Sequence, residues 1–588
     1  MAPPLSFRVP EHSFLSRCSF KFCFSTLLLS VSLSHLLSEH VYVNAQIPPP
    51  SLNVTFPAQP GASALVNVVQ DNFLGVSFEL SSFDTLWGET PTTIPDAMKN
   101  YMSNLRQRHP SPLRIRIGGN SMDGSTWVPT QTQMIVLTDP NAYYNDVPVN
   151  FGPTFFDVLN SMADTVGEMA FIIGLSMRDP DDDTNVIELA AAADQMLGDR
   201  LDSMLLGNEP DLYAGNERPQ SYSIADYIPE VDKVLDDLEN SATGNLIPNT
   251  VIGGPTICCA WDLDDVLSGG LLQYPYKYYT LQHYPTYICD GPTPSNTNIS
   301  YFLSHTNVPE YAQWQSTGIE MAQNASVPVL MTEYNSVSCG GSNVSDTFAA
   351  TLWAVDAALN FASTGLSAAY LHTREYQVLY NLFDPPTPST STESGWHTGS
   401  PYYSALFLSE TFIPGGSIVV DINLDNSIYD PASTVAGYAI YNANGTSCER
   451  LVLINYGLTG QLRNFTLPQN VTSSIGFRIL VAPSVEEKTN ISWAGQTIGQ
   501  NGDLEGTQTT GWTDCADGCA VEVPGPGAAL ILFGDYANAT GFFVGNSTIA
   551  GLTGYAPPSG TSGAEDDGRG VWWRVVGVVV LASLQWVV

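Results

Sequence analysis

Short apolar runs recur between residues 73 and 372: FLGVSFE (73–79), LRIRIGG (113–119), MAFIIGLS (169–176), DSMLLG (202–207), TVIGGP (250–255), YYTLQH (278–283), VPVLMTE (327–333) and LSAAYLH (366–372). Stretches with helical spacing of apolar residues lie between them, such as IPDAMKNYMSNLRQ, NVIELAAAADQML and SDTFAATLWAVDAALNF. Strands alternating with helices predict a parallel sheet with crossover helices, and eight such units predict a closed (β/α)8 barrel of α/β class, the TIM barrel. A last helix falls near Ser400 to Phe412. Beyond it the texture changes to period-two alternation and turns: GYAIYNANG, CERLVLINYG, NFTLP and FRILVAP. That pattern predicts a C-terminal antiparallel β-sandwich. SLNVTF and ALVNVVQ, before the first barrel run, also read as strands that join the sandwich. The expected division is a barrel at 71–412 and a sandwich at 413–548, with N-terminal strands at 46–70 added to the sandwich.

Both ends read as processing signals. Arg8, Arg17 and Lys21 precede an apolar run from Phe22 to Leu37, and Val43-Asn44-Ala45 offers a small-residue cleavage site. Residues 1–45 are therefore expected to be a secretory signal peptide. Residues 549–588 carry small residues from Ser559 to Ala564, then Glu565-Asp566-Asp567, then an apolar tail from Val571. That order matches a linker and a glycosylphosphatidylinositol anchor signal. The competing reading is a short transmembrane helix, but Val575 to Val588 is short for a span. The expected location is extracellular, at the cell surface or wall, with membrane contact only through the anchor. Ten Asn-x-Ser/Thr sites, at Asn53, Asn298, Asn324, Asn343, Asn444, Asn464, Asn470, Asn490, Asn538 and Asn546, fit a secreted glycoprotein.

Charge narrows the partners. The chain has 588 residues, with 58 Asp plus Glu against 20 Lys plus Arg and a formal charge of −38. Such a field does not draw nucleic acid or anionic lipid. Seven cysteines follow the leader: Cys258, Cys259, Cys289, Cys339, Cys448, Cys515 and Cys519. Cys515 and Cys519 suit a local bridge, the other pairings stay open, and the odd count leaves one over. His283 and His372 end strands, but no His/Cys/Asp spacing indicates a metal site, and Gly118-Gly119 lacks a nucleotide fingerprint, so no cofactor is expected. The sequence is silent on oligomeric state.

In a barrel the carboxyl ends of the strands carry the chemistry. Read there, the first run ends in Glu79, and the second leads to Asn120 and Asp123. The fourth leads to Asn208-Glu209, the sixth to His283-Tyr284, the seventh to Glu333-Tyr334, and the eighth to His372 with Tyr376 beyond. Glu209 and Glu333 belong to strands whose ends approach one another across a barrel. Glycoside cleavage needs such a pair, one acid to protonate the leaving oxygen and one carboxylate to act as nucleophile or base. Asn208 suits a bond to a sugar 2-hydroxyl, and Tyr284 and Tyr334 suit orientation of the nucleophile. Taken alone, Glu209 before Pro210 also reads as a carboxylate at a helix N-terminus. The pairing with Glu333 favours the catalytic reading.

The stretches GVSFE (75–79), RIGGNSMD (116–123), GNEPDLY (207–213), LQHYP (281–285), TEYNSVSCGG (332–341) and SPYYSALFLSE (400–410) resemble glycoside hydrolase family 79, the β-glucuronidase and heparanase family. The resemblance runs from about residue 50 to about 545. It implies Glu209 as acid/base and Glu333 as nucleophile, with Glu79, Asn120 and Asp123 in the sugar-binding rim. It also implies that Ser336 to Gly341 holds a uronate carboxylate. Backbone N–H groups of a glycine-rich loop suit that task in so acidic a chain, which places Ser338, Gly340 and Gly341 in the site. Glycine pairs also form plain turns. Ser338 departs from a Tyr that several relatives carry there, and Tyr376 or Tyr380 is expected to compensate. The expected activity is a retaining exo-β-glucuronidase on a glucuronic-acid-containing glycan, with the 4-O-methyl sugar as a variant substrate. An endo-acting heparanase-like enzyme and a non-catalytic glycan-binding protein are the alternatives.

Overall fold

The computed structural model describes residues 50–64, 67–139, 147–247, 251–374, 376–386, 395–469 and 471–534. The expected signal peptide, the anchor signal and the sites Asn470, Asn538 and Asn546 lie outside the described residues.

The eight apolar runs form eight parallel strands: β1 Leu74–Glu79, β2 Leu113–Gly118, β3 Met169–Leu175, β4 Leu201–Leu206, β5 Ile252–Ile257, β6 Tyr278–His283, β7 Val329–Tyr334 and β8 Leu366–Thr373. They pair in chain order, and β8 closes on β1 through Ala369↔Leu74 to Thr373↔Phe78. Helices cover the outside of such a ring, so β1, β5 and β7 are buried along their whole length, and the strands read as apolar runs rather than alternating ones. Side chains still alternate between the lumen and the helices. Ile172, Leu205, Leu330, Ala368 and Tyr370 form a small cluster of their own, and polar inward residues stand above it toward the strands' carboxyl ends.

After the barrel the chain forms an antiparallel sheet from β9 Ser417–Asp421, β10 Val435–Asn442, β11 Cys448–Asn455, β13 Ser474–Val481 and β15 Gly527–Phe533. A smaller sheet pairs β12 Arg463–Thr466 with β14 Ala520–Val523. The strand Ser51–Asn53 adds to it in parallel with β12, from Ser51↔Asn464 to Asn53↔Thr466. Val69 bridges to Ser417 at the edge of β9. The N-terminal segment thus passes along the sandwich before it enters the barrel.

Two buried polar clusters tie barrel to sandwich. Glu410, just past the helix Pro401–Leu408, accepts from Arg108 Nε at 2.8 Å, Trp493 Nε1 at 3.1 Å and Gln508 Nε2 at 3.0 Å, and pairs with Arg478. Burial raises its pKa, but Arg478 and Arg108 outweigh burial and hold it below the ordinary range. In the second cluster, His305 Nδ1 meets Asp356 Oδ2 at 2.9 Å and Nε2 meets Asp421 Oδ2 at 2.9 Å. Asp356 lies on the helix Phe348–Thr364, which is apolar nearly all round and buried, and it also accepts from Tyr438 and Tyr456. With both ring nitrogens against carboxylates, the imidazolium is the favoured form. Burial lowers its pKa, yet Asp356 and Asp421 overcome that and raise it to about 10.

A raised histidine stabilises the fold fully below its unfolded pKa of about 6.5, and the contribution disappears as pH rises through the folded value. Wild-type stability should therefore decline between near-neutral pH and pH about 10. His305→Ala should cost about 3–5 kcal/mol at pH 6, because it removes the cation between the buried Asp356 and the half-buried Asp421, and less at alkaline pH. Denaturant titrations of both proteins at pH 6 and 9.5 check this; an equal difference at the two values would remove His305 as the titrating group.

Candidate active site

The site stands where the strands end. Gly207 and Asn208 follow β4, and Glu209 sits in the left-handed region at φ 48, ψ 53. A glutamate is rarely held there, and surrounding bonds must fix it. Its N–H donates to Thr256 O at 3.2 Å, its carbonyl accepts from Leu212 N at 2.8 Å, and Pro210 begins a short 3-10 turn. Two residues on, the Asp211 carboxylate accepts the backbone N–H groups of Cys258, Cys259 and Ala260, the last two at 2.9 and 2.8 Å. The loop after β4 is therefore pinned to the loop after β5, and the Glu209 side chain is left partly exposed.

Glu333 is the next-to-last residue of β7 and points into the barrel. Its Oε1 accepts from Tyr284 Oη at 3.0 Å and its Oε2 from Arg116 Nη1 at 2.9 Å. The same Arg116, buried in β2, donates through Nη1 to Ser77 Oγ at 3.1 Å and through Nη2 to Asn208 Oδ1 at 2.9 Å. Gln282 of β6 completes the link. With its amide oriented to satisfy its neighbours, it donates to Glu209 Oε1 at 3.0 Å and accepts from Arg116 Nη2 at 3.0 Å. One guanidinium and two amides thus join the surroundings of the two glutamates.

The electrostatics separate the pair. Burial first, then the nearby charges of Glu333 and Asp211, push the Glu209 carboxyl well above its ordinary range. A carboxyl of raised pKa beside a second carboxyl group that receives two donors is the arrangement that acid-assisted displacement requires.

The other candidate residues fall into distinct places. Asn208 donates to Asn120 Oδ1 at 2.6 Å, so both stand beside Glu209. Tyr284 touches Glu333. Tyr334 does not: the register of β7 shifts between Met331 and Tyr334, and Tyr334 points outward and packs against Phe361 and Trp353. Glu79, 1% exposed, accepts from Ser121 N at 2.7 Å and from Ser121 Oγ at 2.5 Å, with His372 Nε2 at 3.4 Å and Arg374 Nε at 3.6 Å. Burial raises its pKa, but Arg374 and His372 outweigh burial and bring it down to about 2. Gly119 at φ +81 makes room, since a Cβ there would collide with the Glu79 carboxylate. Asp123 accepts from Tyr213 Oη at 2.5 Å and Met177 N at 2.9 Å, bracing the loops after β2, β3 and β4; burial lifts it to about 6.

Ser338, Gly340 and Gly341 form the loop after Glu333. Ser338 donates its N–H to Thr286 O at 3.0 Å, so this amide is engaged within the protein. Cys339, Gly340 and Gly341 follow with φ of 61, 93 and 81°, and Cys339 is bridged to Cys289. Tyr376 is 40% exposed, and no contact among the described residues joins it to either glutamate. Tyr380 is buried 6.0 Å from Tyr284, ring to ring. Cys258 is bridged to Cys259 and Cys515 to Cys519, and Cys448 is free. Asp211, Cys258 and Cys259 have metal-ligand spacing, but the carboxylate is filled by backbone donors and the sulfurs by their bridge.

Sequence reasoning passed over Arg116 and Gln282. Their signal was a cation and an amide at inward positions of runs whose other residues are apolar.

A closed (β/α)8 barrel with a carboxyl of raised pKa just after β4 and a second carboxylate on β7 is the apparatus of a glycoside hydrolase. The C-terminal β domain of glycosyl hydrolase family 79 matches residues 437–530. A β-glucuronidase of Neurospora crassa is 26% identical over 428 residues, 66% of this chain and 72% of that protein. A β-glucuronidase of Aspergillus niger is 25% identical over 457 residues, 72% and 82% of the two chains. The fold is shared with a 4-O-α-L-rhamnosyl-β-D-glucuronidase from Fusarium oxysporum 12S, at a TM-score of 0.66 and 22% identity over 82% of this chain and all of that one. Residues 437–530 thus match the C-terminal β domain of that family, and the chain as a whole is similar to these β-glucuronidases.

Proposed function

We propose that the protein is a secreted, retaining exo-β-glucuronidase acting on terminal β-glucuronosyl residues of a glycan. The observation that carries this reading is the pairing of Glu209, raised and partly exposed, with Glu333, anchored by Arg116 and Tyr284. Glu209 donates its proton to the glycosidic oxygen as the Glu333 carboxylate attacks the anomeric carbon. The leaving alcohol departs and a glycosyl ester forms on Glu333. Glu209, now ionised, takes a proton from water; that water attacks the anomeric carbon, and Glu333 is released as carboxylate. Two inversions give net retention. Asn208, beside Glu209, suits the 2-hydroxyl.

The relatives named β-glucuronidase support a uronic acid at the centre of the site. So does the loop after Glu333. The N–H groups of Gly340 and Gly341 have no partner among the described residues, and such amides suit a carboxylate in a chain of charge −38. Secretion and lipid anchoring are part of the same proposal and rest on the two ends of the sequence. The test uses the mature protein from producing cells. It should hydrolyse a chromogenic β-glucuronide far faster than the matching β-glucoside and release the β-anomer first, as followed by proton NMR. Its peptide map should begin after Ala45 and lack Trp572 to Val588. Equal rates on the two glycosides would defeat the glucuronide reading, first release of the α-anomer would defeat retention, and the tail's presence would defeat the anchor.

A further inference from the structure

The loop after Glu333 is tied to the loop after β6 by more than its disulfide. Ser338 donates to Thr286 O at 3.0 Å and accepts from Ile288 N at 3.3 Å, which makes two rungs of a short ladder. Past that ladder the chain takes three left-handed residues in succession, Cys339, Gly340 and Gly341. Two are glycines, for which the region is open; Cys339 is not, and it occupies a region disfavoured for a residue with a Cβ. The covalent tie to Cys289 falls on this residue, at the start of the left-handed run. On the far side, Leu379 donates to Gly340 O at 2.8 Å, and Ser342 Oγ donates to Asn296 O at 2.7 Å. Three donors around the turn are already engaged: Ser336 N with Asn335 Oδ1, Ser338 N with Thr286 O, and Ser342 N with Ser345 Oγ. The amides of Gly340 and Gly341, at the left-handed turn, have no partner among the described residues. Glu333 is held by other elements, through Arg116 of β2 and Tyr284 directly after β6. The tie falls on the amide-bearing turn, whereas Arg116 holds the reacting carboxylate from β2; Tyr284 shares the loop after β6 with Cys289.

We propose that the Cys289–Cys339 disulfide determines specificity, holding the Gly340 and Gly341 amides in the one arrangement that reads an anionic sugar. This rests on the glucuronide reading above. Without the bridge the turn relaxes, and the substrate's carboxylate loses its donors while the chemistry at the anomeric carbon continues.

The experiment compares wild type, Cys289→Ser/Cys339→Ser and, as a control in the sandwich, Cys515→Ser/Cys519→Ser. It reads kcat and KM on an aryl β-glucuronide and the matching β-glucoside. The preference for glucuronide, as a ratio of kcat/KM, should fall by about 10-fold or more in the first double variant, mainly through KM for the glucuronide. The glucoside kcat should stay within about 3-fold of wild type, and the control variant should keep the wild-type ratio. Should the first variant fail to fold, wild type is reduced without denaturant until peptide mass spectrometry shows the 289–339 bridge open, then alkylated and assayed in the same way. An unchanged ratio with the bridge absent overturns the proposal, as does a wild-type map in which Cys289 and Cys339 are unpaired. A wild type without preference for glucuronide overturns the underlying reading instead, and it is seen before any variant is compared.

Discussion

Glu333→Gln should abolish turnover of glucuronides, including those with highly activated leaving groups. The amide is nearly the same size and can still accept from Arg116 or Tyr284, which now donate to the carboxylate at 2.9 and 3.0 Å, so the fold should survive. An amide, however, cannot form the glycosyl ester on which a double displacement depends. The expected loss in kcat is roughly 10⁴-fold or more, the scale reached when a nucleophile is removed. Leaving-group activation cannot compensate, because the missing group is the one that makes the new bond. Steady-state assays with dinitrophenyl and simple alkyl β-glucuronides, alongside a thermal melt to certify folding, decide the matter. A folded variant with near-wild-type rates on the activated substrate would end the assignment of Glu333.

The barrel was legible because its strands are buried on both faces. Burial turns each into a short apolar run, and the intervening helices keep their own period. Boundaries shifted where local chemistry misleads. The fifth run was expected at 250–255, yet the strand is Ile252–Ile257: it continues past Pro255, whose missing N–H ordinarily ends a strand. Glu209 and Glu333 stood out because a carboxylate at the end of an apolar run has no packing role. Arg116 and Gln282 carried the same kind of signal. They were hidden by position, inside a strand rather than at its end, where an inward cation looks like an accident until its partners just after β4 and on β7 are known. Tyr334 was misread for the opposite reason: its neighbour was taken as a guide to its direction, while past the register shift of β7 the two side chains point to opposite faces. The pairing of Cys289 with Cys339 depends on how β6 and β7 sit side by side in the closed ring, which no spacing along the chain reveals.

Replacing Glu209 by Ala should divide substrates by their leaving groups. Glu209 is the carboxyl that burial, Glu333 and Asp211 drive well above the ordinary range, which suits it to hold a proton for the leaving oxygen. Without that proton, a poor leaving group departs as an unassisted alkoxide, and the first step should slow by about 10²–10⁴-fold, the usual scale of general acid catalysis. A dinitrophenolate needs little protonation, so formation of the glycosyl ester on Glu333 should be nearly spared. Its hydrolysis should then become limiting, because no base remains to activate water, and the intermediate should accumulate as a burst. Azide is an anion and needs no base; added azide should restore turnover and give the β-glucuronosyl azide, the anomer that a second inversion requires. The pH profile supplies an independent sign. Wild-type kcat/KM requires protonated Glu209 and should fall as pH rises through its elevated pKa, whereas the variant has no such group and should lose that alkaline limb. Equal losses on good and poor leaving groups, no azide product and an unchanged alkaline limb would together show that Glu209 is a structural carboxylate at the start of the Pro210–Leu212 turn rather than the proton donor.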